Sequence, residues 1–325
     1  MVINMKKAIV AGFILTLFVV CNVASAHFTM ILPKLDAKAE DYLAELGETK
    51  TLYILWGHPF EHVLFDCPNV EVILRDPDGV MTKLTPEEVT VEGVKAWKVS
   101  FKVEKMGDYI IAVKLYAKEH NLLDYTKAII HCGEEAWEGW DAVVGQEVEV
   151  IPYTRPYGIE EGFVFSGKAL FNGTPLANAV VEVEKYHTKD EAEPIVKLAE
   201  EKFKQDPPMM FTRVVKTNDK GEFAYTLDEP GIWFVGAYAE SEGGIEKRGV
   251  IIVPVLEKFP PKAEAKATVD LSGLESKIDE LSKKISTLES KISALEGASN
   301  QSISYGAIGL AIIAIIIAIV AIARR

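Results

Sequence analysis

Two histidines four residues apart, with a carboxylate between them, have the residue types and spacing of a metal site. They are His58 and His62, with Glu61 between them. In an extended strand, residues four apart lie about 13 Å from each other, but in one helical turn they lie about 6 Å apart on one face. Pro59 is tolerated at the first position of such a turn. We therefore predict a helical turn in which both imidazoles ligate one ion, with Glu61 as a third ligand or as the group that orients one. The alternative is one histidine that caps a turn and one surface histidine.

A third histidine, His27, follows the small residues Ala24-Ser25-Ala26. Residues 1–26 have the charged start, apolar stretch and small-residue cleavage site of a secretory signal peptide. Cleavage after Ala26 would give His27 a free α-amine, whose reference pKa is about 8. The amine and the imidazole Nδ1 can then chelate one ion. A second imidazole completes the three-nitrogen arrangement called a histidine brace, which suits copper and nickel.

Two cysteines follow the signal peptide, Cys67 and Cys132. In an exported chain such a pair most simply forms a disulfide, and closing so long a loop is worth roughly 4 kcal/mol in the entropy model. The bond would bring His131 close to the two histidines described first, so His131 is a further candidate ligand. The alternative is that one or both cysteines ligate metal. Two isolated histidines, His120 and His187, are expected at the surface.

Short segments in which apolar and polar residues alternate recur from about residue 49 to 255. This pattern predicts that β-strands position most of these residues. We predict two consecutive β-sandwich domains, 27–157 with the metal site and 158–255. In the first, Tyr109 precedes an apolar strand and resembles the tyrosine corner of immunoglobulin-like sandwiches. The second is similar to transthyretin-like and carboxypeptidase-regulatory-like sandwiches, which are typically non-catalytic. Short helices are expected at 36–46 and 190–205.

A different pattern follows a proline-containing linker at 256–270. Between 271 and 296, leucine and isoleucine recur at alternating spacings of three and four residues, which predicts an α-helical coiled coil. Isoleucine at the later a positions and leucine at the d positions favour a parallel homodimer. Lys284 and Lys291 would occupy g positions, where they can pair with Glu289 and Glu296 at e positions of the partner. The alternative is one amphipathic helix that lies on another surface of the protein.

An apolar segment at 303–323 has the length of a transmembrane helix. Two arginines follow it, so the positive-inside tendency predicts a single-pass protein of the cell membrane with a cytoplasmic C-terminus and extracytoplasmic domains. Two tripeptides, at Asn172 and Asn300, match the N-glycosylation sequon.

The overall charge excludes one class of partner. The net charge is −13 and the basic residues are scattered, whereas nucleic-acid binding requires clustered Lys and Arg. Nucleophile elbows, phosphate-binding loops, dinucleotide fingerprints and zincin helices are all absent from the sequence. We therefore expect a non-enzymatic protein.

Several segments together resemble a known family: His27–Pro33, Gly57–His62, Gly145–Tyr157 and Gly173–Ala179. They are similar to an extracytoplasmic domain family described as the substrate-specific component of nickel and cobalt uptake systems. The resemblance covers about residues 27–255, and the coiled coil and membrane anchor are additions to it. It implies nickel or cobalt binding that supports metal uptake together with a membrane transporter. The alternatives are a structural or adhesive surface protein without metal and a copper protein built on a histidine brace.

Overall fold

A computed structural model of the chain describes residues 27–203, 211–260 and 271–298. The predicted signal peptide, the predicted transmembrane segment at 303–323 and Asn300 lie outside these residues. The described residues form two compact units, one up to residue 260 and the other the helix from 271 onward.

The first unit is built mainly of antiparallel strands. Its described strands are β1 Phe28–Leu32, β2 Leu43–Ala44, β3 Thr49–His58, β4 Val63–Phe65, β5 Val70–Arg75, β6 Met81–Leu84, β7 Glu87–Val91, β8 Val94–Lys102, β9 Gly107–Ala117, β10 Leu122–Cys132, β11 Val148–Pro152, β12 Ile159–Glu160, β13 Phe163–Phe171, β14 Thr174–Pro175, β15 Val180–Lys185, β16 Arg213–Lys216, β17 Glu222–Leu227, β18 Gly231–Glu242 and β19 Ile245–Leu256. Helix α1 spans Lys189–Phe203, and two short 3-10 helices span Ala39–Tyr42 and Lys118–His120.

A ten-stranded sheet forms the middle of this unit, and its main path runs β16-β15-β18-β19-β10-β9-β5-β6. Its central strands bury both faces. In β9, Ile111 and Val113 belong to one hydrophobic core, whereas Ile110 and Ala112 belong to another. Such strands read as continuous apolar runs instead of alternating ones. Strand β10 is also buried on both faces but includes the buried charges of Asp124 and Lys127, so neither alternation nor a continuous apolar run marks it in the sequence.

Two smaller sheets cover these faces. A five-stranded sheet, β1-β3-β8-β7 with β4 beside β3, contributes Phe28, Ile54 and Val99 to the first core. A four-stranded sheet, β11-β13-β14 with β17 beside β13, contributes Val150 and Phe165 to the second core. The metal-site candidates lie mainly on the five-stranded sheet and on the middle sheet below it.

The two predicted modules share the middle sheet. Strand β10 pairs in parallel with β19, with Leu122 beside Glu246 and Lys127 beside Ile251. Residues of the second module, such as Phe234, therefore complete the core of the first. The mainly β fold is confirmed, and the described residues up to 260 form one compact unit in which both predicted modules share the middle sheet.

Local predictions agree with the structure to different degrees. The alternating apolar and polar residues at 70–75 predict a strand, and β5 forms there, while the helix predicted at 190–205 is α1 at Lys189–Phe203. The Tyr109 hydroxyl donates to the Lys105 carbonyl at 3.0 Å, the contact expected of a tyrosine corner. The helix predicted at 36–46 is wrong, because only a single 3-10 turn forms there before β2.

The second unit is helix α2, Leu271–Ala298. The large apolar side chains of its heptad pattern are 41–56% exposed in this single chain, namely those of Ile278, Leu281, Ile285, Leu288 and Ile292. Lys284 and Glu280 form an exposed ion pair along the helix with an N–O distance of 2.6 Å. Within the described ranges, no helix combines the length and apolar character needed to cross a bilayer.

Candidate metal site

Strand pairing brings His27 and His58 together. Strands β1 and β3 are antiparallel, with Phe28 opposite Gly57, so the residue before β1 lies beside the last residue of β3. Gly57 also permits the chain to fold back at this point, because a Cβ there would lie 2.0 Å from the Val63 carbonyl oxygen. The two histidines are separated by 31 positions in sequence but meet where β1 begins and β3 ends.

The two rings present nitrogens to each other. The Nε2 atom of His58 lies 3.4 Å from Nδ1 of His27, and the ring planes are nearly perpendicular at 79°. Two nitrogens that ligate one ion at about 2.0–2.1 Å lie roughly 2.9–3.4 Å apart at angles between square and tetrahedral. The observed separation therefore fits two ligands of one ion.

Glu61 takes the other nitrogen of His58. Its Oε2 lies 2.6 Å from Nδ1 of His58, which leaves Nε2 directed at His27. A carboxylate on the far nitrogen of a ligating histidine fixes the ring orientation and raises the basicity of the ligating nitrogen. Of the two roles predicted for Glu61, this geometry is that of the orienting group.

A third imidazole, predicted to be isolated at the surface, lies beside this pair. His120 is exposed, as predicted, but its ring centroid is 4.2 Å from that of His27. It ends the 3-10 turn that joins β9 to β10. The pairing of those two strands could have revealed it, but β10 was not recognised in the sequence.

Aromatic side chains form the wall of the site. The ring of Trp56 stacks on His27 at 5.4 Å between centroids, and the ring of Phe65 lies 5.0 Å from it. Burial, together with the charges of His58, His120 and Arg248, lowers the pKa of His27 to about 3. The imidazole is therefore neutral at neutral pH, the form that ligates metal.

Side chains alone do not complete the site. Among the residues the structure describes, no group of three or more His, Cys, Asp or Glu side chains is arranged to hold one ion. A brace needs only two imidazoles, because its third nitrogen is the α-amine. The pair of His27 and His58 fits this arrangement, and the ring of His120 packs beside His27.

The structure does not bring His62 to the pair of His27 and His58. Residues 59–62 form a four-residue loop of a β-hairpin, in which His58 pairs with Val63, and not a helical turn. His62 adopts φ +52°, and its ring lies 5.6 Å from that of Tyr186 between centroids. Its Nδ1 lies 3.0 Å from the His187 carbonyl oxygen and its Nε2 lies 3.1 Å from Glu92 Oε2, so both nitrogens already have partners.

The predicted disulfide is also absent, since Cys67 and Cys132 are free, buried thiols. Strand register explains why. Val70, three residues after Cys67, lies beside Leu115, whereas Cys132 lies beside Gly107. Eight positions of β9 separate these levels (115 − 107 = 8), which is about 27 Å, whereas a disulfide needs Cα atoms within about 7 Å.

His131 consequently lies far from the candidate site. Its Nδ1 is 2.8 Å from Asp108 Oδ1 and its Nε2 is 2.5 Å from the Gly133 carbonyl oxygen. It also stacks on Tyr157 with 4.5 Å between centroids. His131 is therefore a buried structural residue and not a ligand of the ion at His27.

His187 differs from its predicted surface position. It is 4% exposed, and its Nδ1 lies 3.1 Å from the Phe60 carbonyl oxygen. Its backbone N–H donates to the Pro59 carbonyl at 3.0 Å. This residue supports the loop that carries Glu61.

The chain belongs to the DUF4198 family. Residues 24–241 match the model of the domain of unknown function DUF4198. No curated protein matches the chain.

Solved structures overlap with the chain only loosely. A bacterial ice-binding adhesin is 11% identical, with a TM-score of 0.22 over 71% of this chain and 64% of the adhesin. An Escherichia coli alpha-2-macroglobulin activated by porcine elastase is 11% identical, with a TM-score of 0.24 over 71% of this chain and 20% of that protein. The ectodomain of mouse nectin-like molecule 4 is 10% identical, with a TM-score of 0.19 over 71% of this chain and 65% of that chain. Overlaps of this kind carry no functional information.

Proposed function

We propose that this protein binds one late first-row transition-metal ion outside the cytoplasm and does not act as an enzyme. The observation that carries the proposal is the 3.4 Å separation between Nδ1 of His27 and Nε2 of His58. The α-amine of His27, released by signal-peptide cleavage, is the third nitrogen. Glu61 orients His58, and His120 is the nearest additional imidazole.

The donor set selects among ions. Amine and imidazole nitrogens suit nickel, cobalt and copper, and for a given site affinity rises from cobalt through nickel to copper. Nickel or cobalt is the proposed cargo on the resemblance to metal-uptake components, with a membrane transporter as the proposed recipient. A copper-loaded brace is the competing proposal, which the nitrogen-only donor set favours.

Metal titration of two forms of the protein tests this function. One form begins at His27, and the other carries a single additional alanine before it. We expect the first to bind one equivalent of Cu²⁺, Ni²⁺ or Co²⁺ and the second to bind at least about tenfold more weakly, because the amine is lost. Equal affinity would remove the amine from the ligand set. A first form without stoichiometric metal would favour the structural or adhesive alternative.

We also propose that helix α2 pairs with its counterpart in a second copy of the chain. Its exposed stripe, with isoleucine at a positions and leucine at d positions, favours a coiled coil of two parallel helices. Charge adds direction. In a parallel pair the g-position Lys284 meets Glu289 of the second copy, whereas an antiparallel pair sets lysines against lysines. Such a dimer agrees with the proposed single-pass anchor at 303–323, which holds both C-termini in one membrane.

Charge exchange tests the paired helix. Lys284→Glu places like charges together and should weaken dimerisation measured by analytical ultracentrifugation. Lys284→Glu combined with Glu289→Lys restores opposite charges and should restore the dimer. A monomeric wild-type chain, or a double variant no better than the single one, would contradict the parallel pairing.

A further inference from the structure

The start of β1 is held by side chains of the middle sheet. Strand β1 is the outer strand of its sheet, and β3 is its one partner among the described strands, none of which lies along its other edge. On that edge the Thr29 N–H donates to Asp124 Oδ2 at 2.9 Å. The His27 carbonyl accepts a hydrogen bond from Nη2 of Arg248. Asp124 and Arg248 thus provide the hydrogen bonds to Thr29 and His27 on the edge of β1 that does not face β3.

These two side chains form a fully buried ion pair. Nε and Nη2 of Arg248 lie 2.9 and 3.0 Å from the two oxygens of Asp124, and both residues are completely buried. The guanidinium also lies 4.0 Å from the centroid of the Phe28 ring. Its Nη1 donates to the hydroxyl of Tyr238 at 2.8 Å, and that hydroxyl donates to Glu182. The planar fork of arginine is therefore fixed from several sides.

Stability alone is a weak reason for this pair. Replacing a buried ion pair by apolar residues of similar size is often neutral or stabilising, because the charges lose their hydration. The pair contacts the backbone of His27 and Thr29, which suggests that it orders the start of β1. Chain termini are usually poorly ordered unless they are tied down, and an unordered ligand must lose conformational freedom when it binds.

We propose that Arg248 and Asp124 are positioning residues that hold the processed N-terminus at the metal site before the ion arrives. They fix the backbone of His27 and Thr29, so that the amine and Nδ1 of His27 meet Nε2 of His58 without further ordering. This inference rests on the proposed function, because it assigns these residues to the binding of that ion.

A variant without the ion pair of Arg248 and Asp124 tests the role. Arg248→Met with Asp124→Asn removes both buried charges but keeps an amide oxygen for the Thr29 N–H. The matched control is Lys127→Met with Glu149→Gln, which removes another fully buried ion pair, 2.8 Å long, from the opposite face of β10. Competition with a chelator for Cu²⁺ should show an affinity at least about tenfold lower in the first variant, as for other groups that orient ligands, and unchanged affinity in the control.

An added residue distinguishes positioning from general support. A single alanine before His27 should weaken Cu²⁺ binding at least about tenfold in the native background and by less than about threefold in the Arg248→Met/Asp124→Asn background, because that terminus is already displaced. The same loss in both backgrounds would overturn the proposal. If the double variant does not fold, Arg248→Lys serves in its place, since it keeps the charge but loses the fork.

Hydrogen exchange separates this inference from the proposed function. Without metal, the Thr29 amide should exchange at least about tenfold faster in the double variant or in Arg248→Lys, while amides of β8 keep their native rates. Unchanged exchange at Thr29 would overturn the positioning role even if the native protein binds metal. If Thr29 exchanges faster in the variants but the native protein binds no Cu²⁺, Ni²⁺ or Co²⁺, the two residues hold the terminus. That result would refute both the use of the terminus at a metal site and the proposed function.

Discussion

The two ends of the described β-unit each place a histidine beside a carboxylate, and only one of them leaves a nitrogen directed at a second imidazole. At one end, Glu61 occupies Nδ1 of His58, and Nε2 faces His27 at 3.4 Å. At the other end, Asp108 and the Gly133 carbonyl occupy both nitrogens of His131. A histidine near an acid is therefore a candidate ligand only if its second nitrogen is directed toward an ion site.

A matched pair within one hairpin tests this comparison with the largest expected effect. His58→Ala should lower metal affinity by more than about 100-fold, beyond the cost typical of orienting groups, because it removes a ligand. His62→Ala, four residues away, should leave the affinity unchanged, since His62 bonds to Glu92 and the His187 carbonyl. Isothermal titration with Ni²⁺ and Cu²⁺ measures both variants.

Comparable losses in the two variants would show that the hairpin rearranges on binding. The partners that His62 has in this structure would then not predict whether it ligates the ion. A loss in His62→Ala alone would restore the ligand assignment made from sequence spacing.

The opposite end of the sheet should respond in stability instead of affinity. His131→Ala leaves the buried Asp108 carboxylate without its ring partner and should lower the free energy of unfolding by about 2 kcal/mol. Metal affinity should not change. Denaturant unfolding measures the first effect, and the exposed His120→Ala is the control, with an expected change within about 0.5 kcal/mol. A drop in metal affinity for His131→Ala would contradict the separation of the two ends.

A buried acid under the loop of the site gives a pH-dependent effect on stability. Burial raises the pKa of Glu184 to about 8, although hydrogen bonds from the Phe60 N–H and the Thr212 hydroxyl oppose the shift. The raised folded-state pKa stabilises the protein fully below the unfolded value of 4.5, and this stabilisation is lost as pH rises toward 8. Between about pH 6 and 7.5 the unfolding free energy should fall by roughly 2 kcal/mol, at about 1.4 kcal/mol per pH unit.

Glu184→Gln removes this titration and should flatten the pH dependence over the same range. Chemical denaturation at several pH values measures the slope in the two proteins. An equal slope in both would show that Glu184 is ionised in the fold, and the loop around Phe60 would then rest on a buried charge.

Sequence alone determined the parts of this protein that depend on local pattern. The mainly β fold, strand β5 and the heptad stripe of α2 follow from periodicity, and helix α1 follows from its helix-forming residues, because each depends on the residues of its own segment. His27 and His58 were also identified from local features, the cleavage pattern before one and the histidine spacing around the other.

Tertiary structure decided which of these residues meet. The pairing of β1 with β3 joins His27 to His58, and the β9–β10 turn adds His120, a residue with no local signal. Strand register also placed Cys67 and Cys132 at different levels of the sheet, so His131 was excluded. The reason is that residue spacing fixes direction within one strand or turn, whereas proximity between strands depends on register, which only the assembled sheets define.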